Sequence, residues 1–306
     1  KSTMSESQFQ REFGAQFTDD SSGYFKISKM ALCTVPDGES PSVEVVGNPE
    51  DEYVVAVDPS WSETEGSDDF AIQVIKVNYE KQMGTLVHSY ALAGASLKDH
   101  IKYFLYILKN FNVTAVCMDY NGGVQFMNSC NESELFKDEK IDLKSIITEF
   151  ERPEEYQTNL YSAKMEYNKS DFKMVFLRKP TSSWIRQANE LLQANFDHHR
   201  IYFASRAMDD HYRSQINKKI GIENLKFSNV SDLDKSDVGA RMIDLVEHLS
   251  DMIFLTKTEC ALIQITTSAQ GMQNFDLPAN LKRKSGPDKP RKDSYSALVL
   301  GNWLTK

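Results

Sequence analysis

Two rhythms of apolar and polar positions alternate along this chain, and the switches between them outline an α/β unit. Tyr53-Val54-Val55-Ala56-Val57 is an unbroken apolar run that ends in Asp58. Such a run predicts a strand buried on both faces. Phe70–Tyr79 alternates in part, through Ile72, Val74, Val77 and Tyr79, and Thr85–Leu92 reads as a third strand. Glu80–Gly84 is then the hairpin connection between them. Leu97, Ile101, Phe104, Leu105, Leu108 and Phe111 recur at helical spacing. The strand Thr114–Asp119 follows. Three strands, a helix and a fourth strand predict an antiparallel meander, with the helix as a crossover that sets strand four parallel to strand one.

Further along, Asn121-Gly122-Gly123 predicts a turn into another helix. Asp138–Arg152 predicts a charged helix with Leu143, Ile146, Ile147 and Phe150 on one face. Lys173–Leu177 is a fifth strand. Thr181–Phe196 is a helix with Ser182 or Ser183 as N-cap, and Ile201–Ala204 is a short strand. Val238, Met242, Leu245, Val246, Leu249 and Ile253 mark a long amphipathic helix. Ala261–Thr267 and Met272–Leu277 pair as a late hairpin. Leu281–Lys292 is a basic loop, and Lys292–Trp303 is a last helix with Asp293 in its first turn. Near the N-terminus, Ser5–Phe17 predicts a short helix, with Phe9, Phe13 and Phe17 four apart. Pro36–Pro49 is rich in Pro, Gly, Ser and Glu and reads as a loop or linker. The expected organisation is an N-terminal segment over residues 1–50 and one compact α/β domain over 51–306.

Composition narrows the classes. The chain has 306 residues, of which 41% are hydrophobic and 26% charged, enough for a sizeable core in a soluble protein. Mean hydropathy is −0.47, and no apolar stretch is long enough to span a bilayer or to serve as a signal peptide. The four cysteines, Cys33, Cys117, Cys130 and Cys260, form no CxxC pair. Neither a zinc ribbon nor a redox motif is supported, and scattered cysteines fit a reducing compartment. A net charge of −9 argues against broad coating of nucleic acid. Any DNA contact should rest on a local patch, and the obvious one is Lys282, Arg283, Lys284, Lys289, Arg291 and Lys292.

The candidate chemistry is acidic. Functional groups gather at the carboxyl ends of strands in open α/β sheets, and Asp58 and Asp119 both occupy that position. Adjacent carboxylates repel each other, and a cation is the usual relief. Hard oxygen ligands suit Mg²⁺ or Mn²⁺. A third carboxylate, Asp293, brought in by a helix, would complete two metal positions able to activate water on a phosphodiester. Each aspartate alone also reads as a turn or cap residue; strand order and the late helix make them a set. Asp68 and Asp69 open the second strand, and Asp68 serves equally as an outer ligand or a turn residue. Asp209-Asp210-His211 reads as a solvated loop, His198-His199 as a helix end, and Trp184 as core or interface.

Three segments resemble motifs of a known family. Val55-Ala56-Val57-Asp58-Pro59-Ser60, with Gly66-Ser67-Asp68-Asp69-Phe70-Ala71, resembles the first motif of the nuclease domain of tailed-phage large terminase subunits. Val116-Cys117-Met118-Asp119-Tyr120-Asn121-Gly122-Gly123 resembles the second, and Lys292-Asp293-Ser294-Tyr295-Ser296-Ala297-Leu298 the third. Ser7–Gly14 with Gly23-Tyr24-Phe25 resembles the segment leaving the ATPase domain. The resemblance implies a ribonuclease H-like fold: a mixed five-stranded sheet flanked by helices, with an extra C-terminal hairpin at about Cys260–Leu277. It implies a metal-dependent endonuclease that cuts concatemeric viral DNA during packaging, with two Mg²⁺ or Mn²⁺ ions on Asp58, Asp119 and Asp293 and assistance from Asp68. It also implies double-stranded DNA, a terminase ATPase domain, a small terminase subunit and a portal as partners, in the host cytoplasm during infection. No G-x-x-x-x-G-K-[ST] phosphate loop occurs, so ATP hydrolysis is not expected here, and a start at Lys1 suggests a nuclease fragment. The alternatives are another ribonuclease H-like nuclease, such as a resolvase or transposase-like enzyme, and a non-catalytic docking module of a packaging motor.

Overall fold

Strand β1 (Glu52–Asp58) occupies the middle of a seven-stranded sheet, and every residue from Tyr53 to Val57 is fully buried. The computed structural model describes residues 23–60, 68–148, 172–206, 238–267, 273–282 and 289–305. A short helix, α1 (Ile27–Leu32), precedes β1. β1 pairs antiparallel with β2 (Phe70–Asn78), and β2 pairs antiparallel with β3 (Met83–Leu92). Helix α2 (Leu97–Asn110), capped by Ser96, then crosses over so that β4 (Val113–Asp119) lies parallel to β1. Meander and crossover agree with the sequence.

The remaining strands extend this core on both sides. β5 (Asp142–Thr148) and β6 (Phe172–Arg178) run parallel beyond β4, and β7 (Ile201–Phe203) lies parallel to β3. The order is β5-β6-β4-β1-β2-β3-β7. Five of the expected strands are therefore contiguous in the centre; the expected short strand at Ile201–Ala204 joins one side as β7 and the unexpected β5 the other, so the sheet has seven strands rather than five. A separate hairpin, β8 (Gln264–Thr267) with β9 (Gln273–Asp276), stands where a late hairpin was expected.

Two readings are corrected. The expected helix over Asp138–Arg152 is instead the end of one short helix and a strand. α3 (Tyr120–Glu132) and α4 (Glu134–Asp138) come first, and Asp142–Thr148 then pairs along its whole length with β6. Over so short a window the spacing of Leu143, Ile146 and Ile147 fits either period. The adjacent β-branched residues Ile146-Ile147-Thr148 and an open parallel edge decide for the strand; Phe150 lies outside the described residues. The second correction is Asn121-Gly122-Gly123, which forms the first turn of α3 rather than a turn before it. Its glycines serve close packing: a Cβ on Gly122 would lie 2.8 Å from the Pro59 carbonyl oxygen, and one on Gly123 would lie 2.8 Å from Met118 Cβ.

Helices cover both faces. α2, α3 and α4 pack on one side through Phe104, Phe126 and Phe136. The other face carries α5 (Ser182–Asp197), α6 (Val238–Leu262) and, after the short α7 (Ala279–Lys282), the last helix α8 (Asp293–Leu304). α5 is capped one residue earlier than expected, by the Thr181 hydroxyl. Pro36–Pro49 has no regular structure but is held firmly: Val43 and Val45 are fully buried, and the Glu44 carboxylate accepts from the Tyr53 hydroxyl at 2.6 Å. Among the described residues no helix is long and apolar enough to cross a membrane. Ser5–Phe17 lies outside the described residues.

α8 reaches the sheet closely because of Gly301, where a Cβ would stand 2.7 Å from Ile75 Cδ1 and 3.1 Å from Ala56 Cβ. Alanine there gains about 0.5–1 kcal/mol of helix propensity. Overpacking costs about 1–3 kcal/mol, so Gly301→Ala is expected to be net destabilising, by about 1 kcal/mol, as a lower urea midpoint. The buried His88 supplies a pH test. Its Nδ1 donates to the Glu44 carbonyl at 2.8 Å and its Nε2 accepts from the Tyr103 hydroxyl at 2.7 Å, an arrangement that needs a neutral ring. Burial lowers its pKa from 6.5 to about 4. The unfolded chain therefore takes up this proton first, and stability is lost as pH falls from 6.5 towards 4. Between pH 7 and 4.5 the unsubstituted protein is expected to lose roughly 2 kcal/mol more than His88→Gln in urea unfolding.

Candidate active site

Register brings the expected aspartates together. In the β1–β4 ladder Ala56 pairs with Cys117 and Val57 with Met118, so Asp58 and Asp119 follow at the same level on neighbouring parallel strands. Alternation places Asp58 on the same face as Ala56, the face that α8 covers at Gly301. Asp293 is the first residue of α8, which packs across β1, β2 and β4. All three aspartates are half-buried, so each keeps an opening to solvent.

Each carboxylate has its own local support. Asp119 caps α3, its Oδ1 accepting from the Asn121 amide at 2.7 Å. Asp293 Oδ2 accepts from the Asp69 amide at 2.7 Å. The Ser296 hydroxyl donates to Asp58.

The electrostatics are those of a crowded acidic cluster. Burial, then Asp293, then Asp119 hold the Asp58 carboxyl well above the usual range, against the pull of Ser296 and Lys292. Burial pushes Asp293 up to about 6, with Asp68 and Asp69 adding to it, while the Asp69 amide and Arg291 oppose. Burial raises Asp119 too, against the Asn121 hydrogen bonds. At Asp58 and Asp293 removal from water and neighbouring carboxylates thus act in one direction, while at Asp119 burial alone raises the pKa.

The donor set suits a hard divalent cation: oxygen donors only, like charges, restricted solvent. It does not stand as a closed ligand set, for among the described residues no three His, Cys, Asp or Glu side chains are placed to hold a metal ion. The fit therefore rests on donor chemistry and charge. Asp58, Asp119 and Asp293 are the residues that would hold such an ion.

The basic residues behave less simply than their sequence suggests. Lys282 pairs with Asp276, Lys292 with Asp276 at 3.1 Å, Lys289 with Asp68 at 3.6 Å, and Arg291 with Asp69 at 2.7 Å. Arg283 and Lys284 lie outside the described residues, as do Asp209, Asp210 and His211. Asp68 is exposed and stands at the rim with Lys289. His199 meets Cys33 Sγ at 3.6 Å, remote in sequence from the aspartates. Trp184 is buried against Trp303, as a core residue.

Around the three aspartates, the buried charged residues Asp69, Glu259 and Arg178 escaped the sequence reading. Asp69 is buried beside Asp293, and alternation could have revealed it, because it shares a face with Ala71, the register partner of Asp58. Glu259 is buried on α6 and accepts from the Tyr295 amide at 2.9 Å, which satisfies the N-terminus of α8 from another helix. Its signal was a charge on the buried stripe of a long helix. Arg178 is buried at the register position beside Asp119, stacked 4.8 Å from the Trp184 ring, one residue past the expected strand end.

No protein-family model matches this chain, and no curated protein matches it either. Among solved structures it is similar to the large terminase nuclease of thermophilic phage G20c with bound magnesium. That match has TM-score 0.46 and 10% identity, and covers 92% of this chain and 97% of the other. It is also similar to the nuclease domain of the large terminase subunit gp2 of bacterial virus Sf6, with TM-score 0.45 and 11% identity over 92% and 98% of the two chains. The HK97 bacteriophage large terminase is similar at TM-score 0.46 and 10% identity, over 92% of this chain and 43% of that one.

Proposed function

We propose that this chain is a divalent-metal-dependent DNA endonuclease that cleaves viral DNA during genome packaging. The observation that carries the chemistry is the placement of Asp58 and Asp119 at the carboxyl ends of the central strands β1 and β4 with Asp293 at the start of the helix across them, where burial and like charge raise the Asp58 and Asp293 pKa values. The packaging context rests on the three motif resemblances around those aspartates.

When bound, Mg²⁺ or Mn²⁺ ions, two in this reading, would supply activation of water and stabilisation of the leaving 3′ oxygen. The protein's own groups do the rest. Asp58 is coupled electrostatically to both other carboxylates and would hold the cation together with them. Asp119 is fixed by its capping bond and Asp293 by the Asp69 amide. Lys282, Lys289 and Lys292, with Arg283 and Lys284, would guide the phosphate backbone to these strand ends, Lys289 exchanging its exposed Asp68 partner for phosphate at little net cost. Asp68, exposed at the rim, would assist from outside. The partners of this reading are double-stranded DNA, a packaging ATPase domain, a small terminase subunit and a portal, in the host cytoplasm.

Plasmid nicking tests the proposal. Mn²⁺ or Mg²⁺ is expected to support cutting and EDTA to abolish it. Asp58→Asn, Asp119→Asn and Asp293→Asn are each expected to reduce the rate at least about 100-fold. Cutting that survives EDTA or Asp58→Asn would contradict the site. DNA left intact under every metal, with no metal-dependent thermal shift, would favour a docking module instead. Without metal, Asp58→Asn removes a charge whose ionisation the fold opposes, so its thermal midpoint is expected to rise above that of the unsubstituted protein.

A further inference from the structure

Arg291 belongs to the basic segment, yet its side chain is only 16% exposed and its Nη1 donates to Asp69 Oδ1 at 2.7 Å. Asp69 is itself buried, and its backbone N–H donates to Asp293 Oδ2 at 2.7 Å. A continuous chain of contacts therefore runs from Arg291 through Asp69 to Asp293. It ties the start of β2 to the first residue of α8, two segments more than 200 residues apart (224 positions separate Asp69 from Asp293). α8 has no side-chain cap of its own at Lys292, and Glu259 serves the Tyr295 amide instead. The bond from Asp69 is thus what fixes how the Asp293 carboxylate sits, with Oδ2 engaged.

We infer that the Arg291–Asp69 pair is a positioning latch for the Asp293 carboxylate rather than a contact to DNA. The inference rests on the metal-site reading above. Arg291 holds Asp69, the Asp69 backbone holds Asp293, and the arrangement pre-orients one ligand of the cation site. Groups that orient ligands in this indirect way typically carry about 10–100-fold in metal affinity. Lys289 offers the contrast. It is a nearby cation paired at 3.6 Å to the exposed Asp68, outside this chain of contacts.

The sign of the effect separates the latch from simple electrostatics. At a pH high enough that Asp293 stays ionised without Arg291, removing a positive charge beside a cation site should tighten metal binding by Coulomb's law. Removing the latch should weaken it. Calorimetric titration with Mn²⁺ is expected to show Arg291→Met weaker than the unsubstituted protein by about 10–100-fold. Lys289→Met is expected to bind Mn²⁺ at least as tightly as the unsubstituted protein. Arg291→Lys keeps the charge but lacks the planar fork, so it should lose affinity by a smaller factor.

Affinity for a DNA duplex, measured by fluorescence anisotropy without divalent metal, should be unchanged in Arg291→Met. Mn²⁺ binding by Arg291→Met as tight as by Lys289→Met would overturn the latch. So would a fall in DNA affinity at unchanged Mn²⁺ affinity. Should Arg291→Met fail to fold, equal Mn²⁺ affinity of Arg291→Lys and the unsubstituted protein overturns it. An unsubstituted protein that binds no Mn²⁺ would instead overturn the metal-site reading, and the latch with it.

Discussion

Carboxylates of like charge gather at the carboxyl ends of the central strands, and the rest of the structure is arranged to keep them there. Asp58 ends the central strand, Asp119 ends its parallel neighbour, and Asp293 begins the helix laid across both. Left to themselves these groups would separate or take up protons. Burial and repulsion raise the Asp58 and Asp293 pKa values, so the free energy of the cluster is unfavourable while its charge is unmatched. The packing beneath it must offset that cost. The fully buried run Tyr53–Val57, the close seat of Gly301 on Ala56 and Ile75, and the Glu259 cap from α6 supply the offset.

The same constraint explains the surroundings. Each aspartate is held by neutral donors, from Asn121, Asp69 or Ser296, and among the described residues no ion pair joins any of the three to a lysine or arginine at hydrogen-bond distance. The positive side chains pair instead with an outer ring of carboxylates, Asp68, Asp69 and Asp276. An inner set without direct cationic partners, inside a ring that is neutralised, suits a site whose missing charge arrives from solution. A purely structural cluster would more economically place lysine or arginine on Asp58 itself.

Much of the central sheet was legible in the sequence because its strands are uniform and long enough to exclude a helix. Tyr53–Val57 is apolar throughout, and the order of meander, crossover helix and parallel strand follows from the short turn and the helical repeat at Leu97–Phe111. The edge strand β5 was not legible, since Leu143, Ile146 and Ile147 satisfy a helical spacing and only the open edge of β6 decides between them. The glycines of Asn121-Gly122-Gly123 read as a turn because their role, close approach to Pro59 and Met118, is a tertiary one. At the candidate site the strand-terminal aspartates were visible from position alone. Asp69 and Glu259 were hidden by their neighbours, one behind Asp68 and the other on a helix whose buried stripe extends past the last residue counted, Ile253.

The central claim is that Asp58, Asp119 and Asp293 together hold a divalent cation. Crystals soaked in Mn²⁺ and measured at the manganese absorption edge test it most directly. The account predicts anomalous density in contact with carboxylate oxygens of all three residues. Well-ordered crystals with no anomalous density there, or with manganese bound only elsewhere on the surface, would contradict it.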